Sequence, residues 1–333
     1  MTAASPGHQI VDLAFGFVLS GSLATVAKLG ISDLLRGGPQ TSAQLANTLN
    51  VDAPSLYRVM RTLASTGLYH EDDQGRFHLR PAGKLLCAAE PGSLRDAVLM
   101  ITQDIFWKPV GQLDHVVRTG VNGMQDIFGA PFFDYFKIND AAGATFHRGM
   151  SSLSDLENAP IAGSYDYSGL NTIVDVGGGH GGFLIEVLKC APDAHGINYD
   201  HAHVLAEARV GELPGRWTCA EGDFFKCVPA GDAYILKRII HDWTDDDCVT
   251  ILKNIRRAMP DGAKVLIVDC VIPEGDTPHG GKVLDILMMA SLPGRERTVA
   301  EFKSILERSG LKLSRTITTP ALLSITEAIA ADL

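Results

Sequence analysis

Between residues 8 and 37, apolar side chains recur every three or four positions: Val11, Leu13, Ala14, Phe17, Val18, Leu23, Val26, Ala27, Leu29, Leu34 and Leu35. A broad apolar stripe at that period predicts helix over the whole stretch. Thr41, with Gln44 three residues on, has capping-box spacing and predicts a second helix start. After the turn NVDAP, another amphipathic helix is expected over 54–66, with Leu56, Val59, Met60 and Leu63 inward and Gly67 as its stop. LYHEDDQGRFHLRP then alternates apolar and polar residues about DDQG, which predicts a β-hairpin. Helix–turn–helix plus hairpin is a winged-helix pattern. Residues 93–160 turn helical again and are rich in aromatics.

From residue 172 the period changes. Short β-rich runs, TIVDV (172–176), HGINYD (195–200), RWTCAE (216–221), DAYILKRII (232–240) and AKVLIVDC (263–270), alternate with helical stretches. That alternation implies right-handed βαβ units and a parallel sheet. LKLSRTIT (311–318) and ALLSITEAI (321–329) are separated only by Thr319 and Pro320, so an antiparallel hairpin is expected at one sheet edge.

The 333 residues, 46% hydrophobic and 20% charged, fit a globular protein with more than one domain and exclude a disordered chain. A net charge of -10 lowers the expectation of nucleic-acid binding, because phosphates reward Lys and Arg. The six cysteines form no C-x-x-C pair, so neither a zinc framework nor disulfide staples are expected, and the thiols read as those of a cytoplasmic protein. No signal peptide is expected at the N-terminus, and no uninterrupted apolar run is long enough to predict a membrane span.

The chemistry begins where the first parallel strand runs into VDVGGGHGG. Asp175 closes the strand, and Gly177, Gly178, Gly179 and Gly181 turn the chain into a helix. Such a turn lies beyond the carboxyl end of a parallel strand, where open α/β sheets bind ligands. The motif also satisfies G-x-G-x-x-G through Gly177, Gly179 and Gly182, so a dinucleotide is one reading and a structural turn another. Asp200 ends the second strand and can accept both ribose hydroxyls of an adenosine ligand. Asp223, after the third strand, can accept the adenine amine while Phe224 covers the ring face. For each Asp alone, a surface or capping role is the alternative.

With VDVGGGHGG, INYD, GDFF, ILKRIIHDWTDDD, KVLIVDCVIPE and PGRERTVAEF, nearly the whole chain resembles the S-adenosylmethionine-dependent small-molecule O-methyltransferases of plant caffeate and bacterial natural-product type. SLATVAKLGISDLL and LYRVMRTLASTGLY resemble the dimerisation domain of that family. The resemblance implies an α/β fold, Rossmann-like, with a seven-stranded sheet whose last strand is antiparallel. It implies a winged-helix-like dimerisation domain at 1–92, a helical connector and acceptor-pocket region at 93–160, and a catalytic domain at 161–333. It further implies S-adenosylmethionine as donor, S-adenosylhomocysteine as product, a homodimer, and a small aromatic acceptor such as a phenol, quinone or phenazine. No metal, membrane or nucleic-acid partner is expected.

His241, just after the fourth strand, lies where the donor methyl would point. An imidazole of ordinary pKa about 6.5 can take a phenol's proton, a general-base contribution of roughly 10²–10⁴. Alternatively, His241 only caps a helix beginning at Trp243 or Thr244. The family pattern gives two acids to orient the ring: Glu296, and Asp269 where relatives usually have Glu. Asp242 is expected to point elsewhere or to cap the next helix. The resemblance places Lys237, Met150 and Ser154 near the donor, with a solvated lysine as the alternative for Lys237. Arg238 stands where relatives often have Trp. Trp107, Phe132, Phe146 and Met289 are candidate walls of the acceptor pocket, or else plain core. Two other classes remain: an NAD-dependent oxidoreductase on the same glycines, and a DNA-binding regulator whose second helix offers Arg58 and Arg61.

Overall fold

The structure is a computed structural model that describes residues 5–331; the outermost residues of the expected first and last domains, 1–4 and 332–333, lie outside the described residues. The chain divides into two compact units. One holds the chain up to Trp107 together with Asn139–Leu153, and the other holds Lys108–Ile138 together with everything from Ser154 onward. The expected connector at 93–160 is therefore shared between the units and is not a body of its own.

In the first unit the helix expected over 8–37 is three helices, Pro6–Ala14, Gly16–Leu29 and Ile31–Leu35. Gly30 separates the last two with φ +66, a conformation that costs glycine little. Periodicity carried through that break because the apolar stripe did not change. Both halves of the Thr41–Gln44 capping box form, and Asp52 caps the helix Ala53–Ser65. The hairpin pairs β2 (Tyr69–Glu71) with β3 (Arg76–Leu79), and β1 (Gln40–Thr41), too short to show a period, joins the other side of β3. Leu45, Leu56, Met60, Leu63, Tyr69 and Phe77 form the core of this unit. Within Pro6–Leu29 an 18-residue window has a mean hydropathy of 1.8, and only 17% of that window is buried. By length and composition the segment could cross a membrane, although polar residues interrupt its apolar run. Ile10, Leu13 and Phe17 stand exposed on it.

The second unit is built on a seven-stranded sheet. Its strands are β4 (Thr172–Val176), β5 (His195–Asp200), β6 (Trp217–Glu221), β7 (Ala233–Lys237), β8 (Lys264–Asp269), β9 (Leu311–Thr318) and β10 (Ser324–Ala330). The order is β6-β5-β4-β7-β8-β10-β9, and β10 runs antiparallel to the rest of the sheet. This is the expected architecture. Successive residues of the central strands enter opposite layers. Ile173, Ile235, Leu266 and Val268 pack with Phe183, Leu184 and Leu188 on one face. Val174, Tyr234, Leu236, Val265 and Ile267 pack with Ile251, Leu252, Phe302 and Leu306 on the other. Burial on both faces explains why these strands read as continuous apolar runs without alternation. The fourth strand stops at Lys237, short of the expected residue 240. Arg238 takes φ +56, which ends the ladder, and Ile240–Asp242 form one 3-10 turn. A non-glycine residue held in the left-handed region is strained, and such strain collects at functional sites.

Candidate active site

The glycine turn is held from behind by two polar residues of the sheet. Asp175 of β4 and Asn198 of β5 are register partners, both fully buried. A Cβ on Gly178 would collide with Asn198 Oδ1 and come within 2.6 Å of Asp175 Oδ2. Asn198 also donates to the Gly179 carbonyl at 2.9 Å. Burial lifts the Asp175 carboxyl to about 7, against the pull of Lys237. Gly179, at φ +58, has open space where a side chain would stand. Asp200 accepts from the N–H groups of Gly179 at 2.9 Å and of His201 at 2.7 Å. A carboxylate offers about four lone-pair sites, so Asp200 keeps capacity for a ribose. Asp223 accepts from the Phe225 N–H at 2.9 Å and lies 3.2 Å from Lys226 Nζ, on a half-buried side chain that can still accept an amine. Phe224 comes within 3.6 Å of the Cβ position of Gly177, so an aromatic face stands beside the turn. Open space at Gly179, acceptors at Asp200 and Asp223, and this ring fit an adenosine.

Lys237 is not solvated. Its ammonium lies 3.0 Å from Ser154 Oγ and 3.0 Å from Glu157 Oε1, and 5.6 Å over the Phe183 ring. Arg238 grips the same Glu157 in a two-pronged bond of 3.0 and 3.1 Å. Burial pushes the Glu157 carboxyl up, but the two cations outweigh it and hold the group below its ordinary value. Glu157 was not singled out from the sequence; an acid on a helix spaced for solvent gives no sign that two strand-end cations will bury it.

At the end of β7 the His241 ring is buried, 6% exposed. Nδ1 lies 2.7 Å from Glu296 Oε1, and Nε2 lies 3.4 Å from Asp242 Oδ1. Asp242 therefore points at the imidazole, not away from it. Neither Asp242 nor His241 caps the next helix: Thr244 does, accepting from the Asp247 N–H at 3.2 Å. Asp269 is fully buried, and among the described residues neither of its oxygens has a hydrogen-bond partner. It acts on the ring through its charge, and of the two acids implied as orienters Glu296 is the one that hydrogen-bonds the ring. Burial by itself would lower the imidazole. The carboxylates of Asp242, Asp269 and Glu296 outweigh that and raise it to about 9. The loop also touches the nucleotide end, because a Cβ on Gly177 would collide with Ile239, two residues before His241.

The remaining candidates separate. Ser154 holds Lys237, whereas Met150 lies in the first compact unit, half-buried on the helix Asp140–Ala162. Trp107 and Phe146 also belong to the first unit; Trp107 is 39% exposed, and Phe146 packs against Phe106 with ring centres 6.4 Å apart. Phe132 is buried, edge-on to Phe133 and Phe136. Its neighbour Phe133 is the ring that stacks on Trp243, with centroids 6.0 Å apart. Trp243 in turn meets Phe225 at 4.8 Å. Met289 sits half-buried on the helix Gly280–Ser291.

A sheet of this order, with a glycine turn and strand-end acids beside a buried imidazole, defines an α/β methyltransferase fold. The sequence profile of the O-methyltransferase domain matches residues 110–312, and that of the O-methyltransferase dimerisation domain matches residues 11–89. The chain is 37% identical over 327 residues to the phenazine O-methyltransferase PhzM of Lysobacter antibioticus, covering 96% of this chain and 95% of that protein. Among solved structures it is similar to LaPhzM, with a TM-score of 0.92 and 36% identity over 98% of this chain and 100% of that one. It is also similar to CalO1, a methyltransferase of calicheamicin biosynthesis in its S-adenosylhomocysteine-bound form, with a TM-score of 0.89 and 36% identity over 99% and 100%. The chain belongs to the O-methyltransferase family, which decides between methyl transfer and hydride transfer for its glycine motif.

Proposed function

We propose that this protein transfers the methyl group of S-adenosylmethionine to a hydroxyl of a small aromatic natural product of phenazine or phenol type, with His241 as general base and no metal. The 2.7 Å bond between His241 Nδ1 and Glu296 carries the reading. It commits Nδ1 to donating and leaves Nε2 as the atom that takes a proton. S-adenosylmethionine supplies a methyl group already activated by its sulfonium. The acceptor O–H would give its proton to Nε2 as its oxygen bonds the methyl and the methyl–sulfur bond breaks, its electron pair leaving with S-adenosylhomocysteine, and the imidazolium so formed stands between Glu296 and Asp242. With the ring at about 9 and a phenol near 10, the proton moves between closely matched groups. Asp200 and Asp223 hold the adenosine, while the Lys237–Ser154–Glu157 contacts fix the end of the strand that delivers His241. The similarity to a phenazine O-methyltransferase supports the acceptor class.

The exposed Ile10, Leu13 and Phe17 lie in or beside the stretch matched by the dimerisation profile, which supports a homodimer whose second copy covers them. Incubation with S-adenosylmethionine and a hydroxyphenazine, read by mass spectrometry, is expected to yield a product heavier by one CH2. Calorimetry is expected to show binding of S-adenosylhomocysteine and none of NADH. NADH binding without S-adenosylhomocysteine binding would overturn the reading.

A further inference from the structure

Arg297 is among the largest fully buried side chains, at 1% exposure. A guanidinium has five N–H donors, and here every one is matched. Nε donates to Asp245 Oδ1 at 3.0 Å. Nη2 donates to the same oxygen at 2.7 Å and to the Trp243 carbonyl at 3.0 Å. Nη1 donates to the carbonyls of Ile240 at 2.9 Å and Arg295 at 3.2 Å. Two of these acceptors, Ile240 and Trp243, flank His241 and Asp242, and Asp245 opens the helix that follows. The 240–243 loop is thus pinned at both ends by one side chain.

The neighbours of Arg297 act on the same loop. Glu296 holds the imidazole itself. A Cβ on Gly294 would collide with the His241 carbonyl oxygen and with the Asp242–Trp243 peptide, so the glycine backbone lies directly against the loop. The Arg297 carbonyl accepts from the Ile272 N–H at 3.0 Å and ties the segment to the chain leaving β8. Resting on the reading of His241 as base, we propose that Arg297 is a positioning residue for the reaction: residues 294–297 form a strap in which Glu296 orients the ring and Arg297 fixes the backbone that carries it. A buried guanidinium is a costly way to fill space, and an apolar side chain would fill it equally well. Holding two carbonyls and a carboxylate at fixed angles needs the planar fork, which lysine with three donors lacks.

The test compares Arg297→Met and Arg297→Lys with wild type, using histidine-labelled protein and NMR of the His241 ring, which needs no acceptor. The ring is faced by Asp242, Asp269 and Glu296, with Arg238 and Arg297 also acting on these acids. In folded R297M the downfield Nδ1 proton is expected to disappear and the ring's titration midpoint to fall towards about 6.5. R297K is expected to lie between R297M and wild type. With a hydroxyphenazine, kcat is expected to drop about 10²-fold in R297M, the size of effect that an ångström of misplacement produces, while KM for S-adenosylmethionine barely moves. A destabilised control, Leu63→Ala in the other unit, should leave the ring signal alone. If R297M does not fold, R297K decides alone. An unchanged Nδ1 signal and midpoint in a folded Arg297 variant would overturn the proposal. His241→Ala with undiminished turnover would instead overturn the reading of the base, leaving the strap's effect on the ring to stand or fall by NMR.

Discussion

The two ends of the candidate site are built by different means. The nucleotide end is made of backbone and local contacts: a glycine turn, and two acids, Asp200 as the last residue of its strand and Asp223 two residues past its own. The imidazole end is assembled across long sequence distances. His241 follows β7, Asp269 ends β8, and Glu296 and Arg297 come from a segment beyond the helix Gly280–Ser291. The first end tolerates few side chains because atoms must approach closely. The second tolerates few changes because one buried ring answers to three carboxylates at once.

The largest effect expected from breaking this contrast is at His241, the proposed base. His241→Ala should lower turnover by roughly 10²–10⁴, the usual worth of a positioned general base. Calorimetry with S-adenosylhomocysteine should show donor affinity intact, since the ring belongs to the other end. Gly177→Ala should act instead at the nucleotide end. A left-handed φ of +71 and a collision with Ile239 should cost about 1–3 kcal/mol in urea unfolding and weaken S-adenosylhomocysteine binding.

A third expectation concerns pH. The folded protein holds the His241 proton more tightly than the unfolded chain, with the ring raised to about 9 from its ordinary value of about 6.5. The associated stability should be complete below about pH 6.5 and lost as pH rises through about 9, so urea midpoints should fall over that window. Replacing His241 by Gln should flatten the fall. The smallest effect should come from Thr41→Ala, which removes a capping box in the other unit. It should cost about 1 kcal/mol of stability and leave methyl transfer untouched.

The same contrast explains what was legible in the sequence. Strand ends at Asp200 and Asp223 could be read because each acid is local to its strand, and the parallel βαβ units could be read from alternating strands and helices, whereas the seven-stranded arrangement was implied only by the family resemblance. Gly30 and Arg238 were not legible as breaks, since the apolar pattern runs on through both. The pairing of Glu157 with Lys237 and Arg238 spans about eighty positions and leaves no periodic trace. Nor did adjacency in the chain reveal the contact of Asp242 with the ring, because the direction of its side chain depends on the 3-10 turn. Which of the adjacent rings Phe132 and Phe133 meets Trp243 is a one-residue question of helix phase, which short aromatic helices leave unsettled.

The central claim is that a carboxylate-held imidazole is the base, and the pH dependence of kcat/KM in wild type and Glu296→Gln tests it most directly. Wild-type activity on a hydroxyphenazine should rise with pH towards a midpoint near 9, as the imidazolium loses its proton. Without the Glu296 charge the ring holds that proton less tightly, so the midpoint should move to lower pH while the acceptor's own ionisation stays where it is. Coincident profiles in the two proteins would contradict the account.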